Sequence, residues 1–126
     1  MKPKDEVRIL VVDDQKSMRG LAILYLHQLN YKNVDEAESA QVALTKMQTQ
    51  KYDVLLLDWN LEGMSGIDLL KLLRSVPELN VIKVIMTTSE RSSEKMNQAF
   101  ELGANQYIGK PYKAEDLDRR LTRVLL

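Results

Sequence analysis

Residues 7–14 read Val7-Arg8-Ile9-Leu10-Val11-Val12-Asp13-Asp14. The run Val7–Val12 is apolar apart from Arg8, rich in β-branched side chains and too short for a buried helix, so it predicts a strand. A strand apolar on both faces needs cover on both faces, which points to a parallel sheet between two layers of helices. Val54–Leu57 and Val81–Met86 read the same way. Val34–Ala37 and Gln106–Ile108 are shorter and more polar, as edge strands tend to be.

Amphipathic stretches fill the gaps. Met18, Leu21, Ala22, Tyr25 and Leu29 recur at the spacing of a helix with one buried face. Ser39 is placed to cap a second helix running to about Gln50. Ser65 with Asp68 resembles a capping box opening a third, which Pro77 closes. Ser92 or Ser93 caps a fourth that ends at Gly103. A fifth follows Pro111 and buries Leu117, Leu121 and Val124. Strands therefore begin about 25 residues apart, near Val7, Val34, Val54, Val81 and Asn105, which is a (βα)5 pattern in one α/β domain spanning 1–126. Met1 to Glu6 is a short polar lead. Right-handed crossovers and the two edge strands favour a doubly wound, flavodoxin-like sheet of order 2-1-3-4-5.

Composition narrows the functional classes. The chain has 126 residues, enough for one compact domain with a sizeable core. Eighteen basic residues balance eighteen acidic ones, so the global field of a nucleic-acid binder is missing and no direct nucleic-acid partner is expected. There is no cysteine, hence no disulfide framework and no thiolate metal site. No charged-then-apolar leader and no membrane-length apolar run stand out, so the expected location is the cytoplasm.

In a sheet of this kind, ligands bind beyond the carboxyl ends of the strands. Strand one ends in Asp13-Asp14, strand three in Asp58, strand four in Thr87-Thr88-Ser89, and Lys110-Pro111 follows strand five. Taken singly each has an ordinary reading as a turn residue, a cap or a solvated charge. Taken together they do not. Two like charges ~5 Å apart at an effective dielectric near 20 cost roughly 3 kcal/mol, a large part of a total stability of ~5–15 kcal/mol. Such crowding calls for a cation. Lys110 supplies one charge, and hard carboxylate oxygens without His or Cys suit Mg2+. Asp58 is then a candidate nucleophile forming an aspartyl phosphate, with Thr88 and Lys110 placed for the phosphoryl oxygens.

With Asp13-Asp14, Asp58, Thr88 and Lys110-Pro111 in this order on a (βα)5 pattern, the chain closely resembles the receiver domains of two-component response regulators. Asp58-Trp59-Asn60, Asn33 to Glu38, Ser17-Met18-Arg19 and Tyr107 ahead of Lys110 are most similar to the single-domain chemotaxis regulators of that family. The resemblance implies a signalling domain rather than a conventional enzyme. A histidine kinase or phosphotransfer protein would donate the phosphoryl group, and the domain would catalyse its own phosphorylation and dephosphorylation. It implies that Asp14 and Asp58 bind Mg2+ directly, Asn60 through its backbone carbonyl and Asp13 through water. It implies that Tyr107 is a rotameric switch and that a target docks on the fourth helix, strand five and the fifth helix. Asn60 and Glu90, two residues beyond Asp58 and Thr88, are expected to tune hydrolysis. Alternatives are the input domain of a larger regulator and a haloacid-dehalogenase-like phosphatase. The latter needs a second acid where Asn60 stands.

Three positions depart from the family pattern. Leu61-Glu62 stands where an apolar residue and proline are usual, so a looser loop after Asp58 is expected. Tyr112 replaces a common Phe. Asn105-Gln106 replaces an acidic pair found in DNA-binding relatives, which weakens the case for their dimer. Elsewhere, His27 reads as a helix-surface residue and Met96, Ala99 and Phe100 as helical core. Arg119, Arg120 and Arg123 form either a solvated face on the last helix or part of a docking surface with Tyr107.

Overall fold

The computed structural model describes residues 2–126; of the polar lead, Met1 lies outside the described residues. The parallel strands are β1 (Arg8–Val12), β2 (Asn33–Ala37), β3 (Val54–Asp58), β4 (Lys83–Thr88) and β5 (Gln106–Gly109). They alternate with α1 (Lys16–Gln28), α2 (Ala40–Thr49), α3 (Gly66–Ser75), α4 (Ser93–Glu101) and α5 (Ala114–Leu125). The sheet order is β2-β1-β3-β4-β5, as the patterning predicts. Lys4–Glu6 adds one 3-10 turn within the lead.

Each face of the sheet carries its own core. Leu10, Val12, Leu55, Leu57, Val84 and Met86 point to one side, with Leu69, Leu70 and Leu73 of α3. Ile9, Val11, Val54, Leu56 and Ile85 point to the other, with Leu117 and Leu121 of α5. This alternation along fully buried strands is the physical reason they read as unbroken apolar runs. Caps fall where the sequence places them. Ser39, Ser65 and Ser92 each accept from the backbone N–H three residues on. Gly103 ends the α4 segment with φ +108, a left-handed value that favours glycine.

Three expectations are corrected. The fourth strand starts at Lys83, not Val81, which is 77% exposed. Residues 76–82 instead close a turn through Leu79 N–H and Asn80 N–H to the Val76 carbonyl. Pairing with β3 begins only at Lys83↔Val54, so tertiary register overrides the β-branched signal of Val81. On α1 the fully buried residues are Ala22 and Leu26, and Leu21 is turned to the exposed margin of the stripe. On α4 only Ala99 is fully buried; Met96 is half-buried and Phe100 is exposed. His27 lies exposed on α1, as expected.

Leu70→Ala, which empties a fully buried position, is expected to cost about 2–5 kcal/mol. Val81→Ala is expected to stay within about 0.5 kcal/mol. Urea unfolding midpoints of the two variants check the contrast.

Candidate phosphoacceptor site

Asp13, Asp14, Asp58, Thr88 and Lys110 meet at the carboxyl edge of the sheet. The order of strands brings them there: β1 and β3 are neighbours, as are β3 and β4, and β4 and β5. Asp58 and Asp13 are buried, and Asp14 is exposed at the mouth. Lys110 Nζ lies 2.9 Å from Asp13 Oδ2 and 3.2 Å from Asp58 Oδ2. One ammonium therefore bridges two buried carboxylates.

Electrostatics at the bridge follow from burial and pairing. Burial pushes the Asp58 carboxyl above its ordinary range; Asp13 adds to this, while Lys110 and the Asn60 N–H oppose it. At Lys110 burial works against the charged form, but the Asp13 and Asp58 carboxylates prevail and its pKa is raised. The ammonium is thus held charged beside a carboxylate whose own charge is costly.

Among the described residues, Asp13, Asp14 and Asp58 form the group able to hold a metal ion, with one oxygen from each within 4.8 Å of the others. A donor set of hard oxygens with no His or Cys fits Mg2+. Asn60 and Glu90 lie exposed at the rim. Thr88 is buried, and its Oγ1 accepts from the Glu90 N–H at 3.1 Å. Tyr107 is buried on β5, and its hydroxyl donates to the Glu90 carbonyl. Burial raises the Tyr107 pKa, the Thr88 hydroxyl opposes that shift, and Glu90 adds to it.

Several further residues shape the site through contacts that the sequence does not disclose. Arg19 on α1 donates to the Asp13 carbonyl at 2.8 Å and pairs with Glu36 at 2.7 Å, fixing the turn after β1. Gly66 opens α3 hard against β3. A Cβ there would meet the Asp58 carbonyl oxygen at 2.1 Å, so only glycine lets the helix start so close to Asp58. Lys95 of α4 sits 4.8 Å above the Trp59 ring, a cation–π contact beside Asp58. Arg120 is half-buried and donates to the Tyr107 carbonyl at 3.0 Å, whereas Arg119 and Arg123 are exposed. The three arginines do not form one solvated face.

Glu62, in the loop after Asp58, is tied to the acid pair through its backbone. Its backbone N–H donates to Asp14 Oδ2 at 3.3 Å, a bond that proline could not make. Leu61 beside it is buried.

These features define a receiver domain. The chain belongs to the family of response regulator receiver domains, whose pattern it matches over residues 9–122. It is 37% identical over 118 residues to chemotaxis protein CheY-3 of Vibrio cholerae serotype O1, covering 94% of this chain and 91% of that protein. It is 34% identical over 118 residues to chemotaxis protein CheY of Pseudomonas aeruginosa, covering 94% and 95%. The solved structure of chemotaxis response regulator CheY4 of Vibrio cholerae superposes with a TM-score of 0.86 at 31% identity, covering 94% of this chain and 98% of that one. Among the described residues, no helix is long and apolar enough to cross a membrane.

The raised pKa of Asp58 sets a pH signature. In the folded chain its protonated form favours folding below the ordinary carboxylate pKa, and that contribution is lost as pH rises through the raised value. Asparagine at this position does not titrate. In EDTA, Asp58→Asn is expected to melt close to wild type near pH 3.5, about the bottom of the carboxylate range. It should melt several degrees higher near neutrality, where about 1 kcal/mol is worth roughly 3–6 °C. Thermal melts across this range check it; a variant less stable than wild type at neutral pH contradicts it.

Proposed function

We propose that residues 1–126 act as one phosphorylation-controlled switch in a two-component pathway of the chemotaxis type, with Asp58 as phosphoacceptor. The supporting observation is the Lys110 ammonium between the buried Asp13 and Asp58 carboxylates, at the edge where Asp14 and Thr88 also converge. The relatives named for chemotaxis cover nearly the whole chain, which favours that pathway class.

In this reading a carboxylate oxygen of Asp58 attacks the phosphorus of a phosphohistidine on a histidine kinase or phosphotransfer protein. The P–N bond breaks, the imidazole leaves and takes a proton, and an acyl phosphate forms on Asp58. Lys110 contacts one phosphoryl oxygen and Thr88 turns its hydroxyl to another. Asp13, Asp14, Asp58 and the Asn60 carbonyl are the groups that would hold Mg2+, which screens the charge between the carboxylate and the incoming phosphoryl group. Water later attacks the phosphorus, releasing inorganic phosphate and restoring the carboxylate. Asn60 and Glu90 stand at the rim where side chains influence that water.

The signal leaves through Thr88 and Tyr107. Movement of Thr88 toward the phosphoryl group changes the space available to the Tyr107 ring, because packed interiors tolerate gaps poorly. A target protein that prefers one ring position then shifts the equilibrium by its differential affinity. The face formed by α4, β5 and α5 is the proposed docking surface. Its exposed Phe100 supplies an apolar contact, and Arg119 and Arg123 supply charge. The cytoplasm, where histidine kinases present their phosphoryl groups, is the compartment this reading requires.

Treatment with acetyl phosphate and Mg2+ is expected to add one phosphoryl group by intact mass, absent in Asp58→Asn and absent with excess EDTA. Equal labelling in EDTA refutes the metal-dependent chemistry. The phosphorylated form is expected to decay within minutes rather than many hours. A lifetime of many hours by the same assay would exclude the chemotaxis-like kinetics.

A further inference from the structure

The end of β4 and the segment joining it to α4 are tied at three points to β5 and the turn after it. The Thr88 carbonyl accepts from Lys110 N–H at 2.7 Å. The Glu90 carbonyl accepts from the Tyr107 hydroxyl. Arg91 Nη2 donates to the Pro111 carbonyl at 3.0 Å. The third tie is unlike the others because it requires a gap in the neighbouring strand. Gly109 is the register partner of Thr88. A Cβ on Gly109 would lie 2.5 Å from Arg91 Nε, 2.9 Å from its Cγ and 3.0 Å from its Cδ. The arginine stem and guanidinium therefore lie flat on the Gly109 backbone, in space that any other residue would fill. A surface arginine in solvent loses rotamer entropy when it is held in one place. Here the missing side chain at Gly109 and the Pro111 carbonyl together define that place.

We propose that Arg91 is a positioning residue of the switch: laid across Gly109 and fastened to Pro111, it makes the Thr88–Arg91 loop and the Tyr107–Pro111 segment move as one unit. The proposal rests on the receiver reading given above and adds the coupling element within it. Thr88 Oγ1 also accepts from Glu90 N–H at 3.1 Å, so displacement of Thr88 pulls on the loop that carries Arg91. With the guanidinium anchored at Pro111, the pull reaches the turn before α5. Without the anchor, the exposed residues Ser89 to Ser92 can absorb it locally. The strap thus controls how much of a change at Asp58 arrives at Tyr107 and α5, while the Arg91 side chain itself bonds to the Pro111 carbonyl and not to the Asp58, Thr88 or Lys110 side chains.

A double-mutant cycle separates this from a merely structural role. Wild type, Arg91→Ala, Gly109→Ala, the double variant and Arg91→Lys are titrated with beryllofluoride and Mg2+. Trp59 emission reports occupation of the site, and amide NMR shifts along β5, α4 and α5 report the switch. Arg91→Ala is expected to keep its Trp59 midpoint within about two-fold of wild type and to lose about half or more of the shift response at Tyr107 and α5. Gly109→Ala, which lifts the arginine off the strand, should show the same loss. The double variant should be no worse than either single one, and Arg91→Lys, which keeps a stem and a donor, should retain most of the response. A full wild-type shift response in Arg91→Ala overturns the proposal, as do additive losses in the double variant. A wild type that shows neither a Trp59 change nor amide shifts overturns the receiver reading itself, and the strap with it.

Discussion

The ammonium of Lys110, held between Asp13 and Asp58, is the interaction on which the rest of the site depends. Opposite charges ~3 Å apart at an effective dielectric near 20 attract by roughly 5 kcal/mol. Withdrawing each ion from water costs several kcal/mol, so the bridge sits near balance instead of deep in a well. That balance is visible in the two ends of the pair. Asp58 remains harder to ionise than a free carboxylate because burial outweighs its partner, while Lys110 is held charged by two acids at once. An arrangement so near neutral in energy can exchange one partner for another at little cost, which is what the proposed cycle of loading and emptying Asp58 needs.

The parallel sheet makes this possible because it delivers side chains from distant parts of the chain to one edge. Asp13 and Lys110 are far apart in sequence, yet they end the strand and the turn that flank the same crevice. The surrounding backbone is correspondingly constrained. Gly66 admits the start of α3 against the Asp58 carbonyl, Arg19 holds the Asp13 carbonyl, and the Glu62 amide reaches Asp14. On the opposite flank Thr88 and Tyr107 share the Glu90 residue, one through its N–H and the other through its carbonyl. Chemistry at the edge and packing at β5 are therefore joined through a single loop.

The strands and the convergent acids were legible because both depend on patterns local in sequence. Val7–Val12 and Val54–Leu57 announce burial by composition, and each ends on the acid that matters. Val81 was misread because its β-branched side chain suggests a strand, whereas the register with β3 is decided by residues far away. Phe100 was read as core from the spacing of α4, but that helix turns Ala99 inward and leaves the ring on the outside. Gly66 and Arg91 drew no notice in the sequence, and Arg19 stood out only as part of the family resemblance, without its contact. Their roles are contacts with backbone atoms outside their own element, and a backbone carbonyl leaves no residue-type signature to match. Glu62 is instructive in another way. It stood out as a departure from the usual proline, and its free amide is what makes a contact.

The most direct test of the account is a crystal structure of the protein with Mg2+ and beryllofluoride. The account predicts the beryllium on a carboxylate oxygen of Asp58, the metal among Asp13, Asp14, Asp58 and the Asn60 carbonyl, and Lys110 Nζ and Thr88 Oγ1 each on a fluorine. Beryllofluoride bound on another carboxylate, or Lys110 still bridging Asp13 and Asp58 without touching it, would contradict the account.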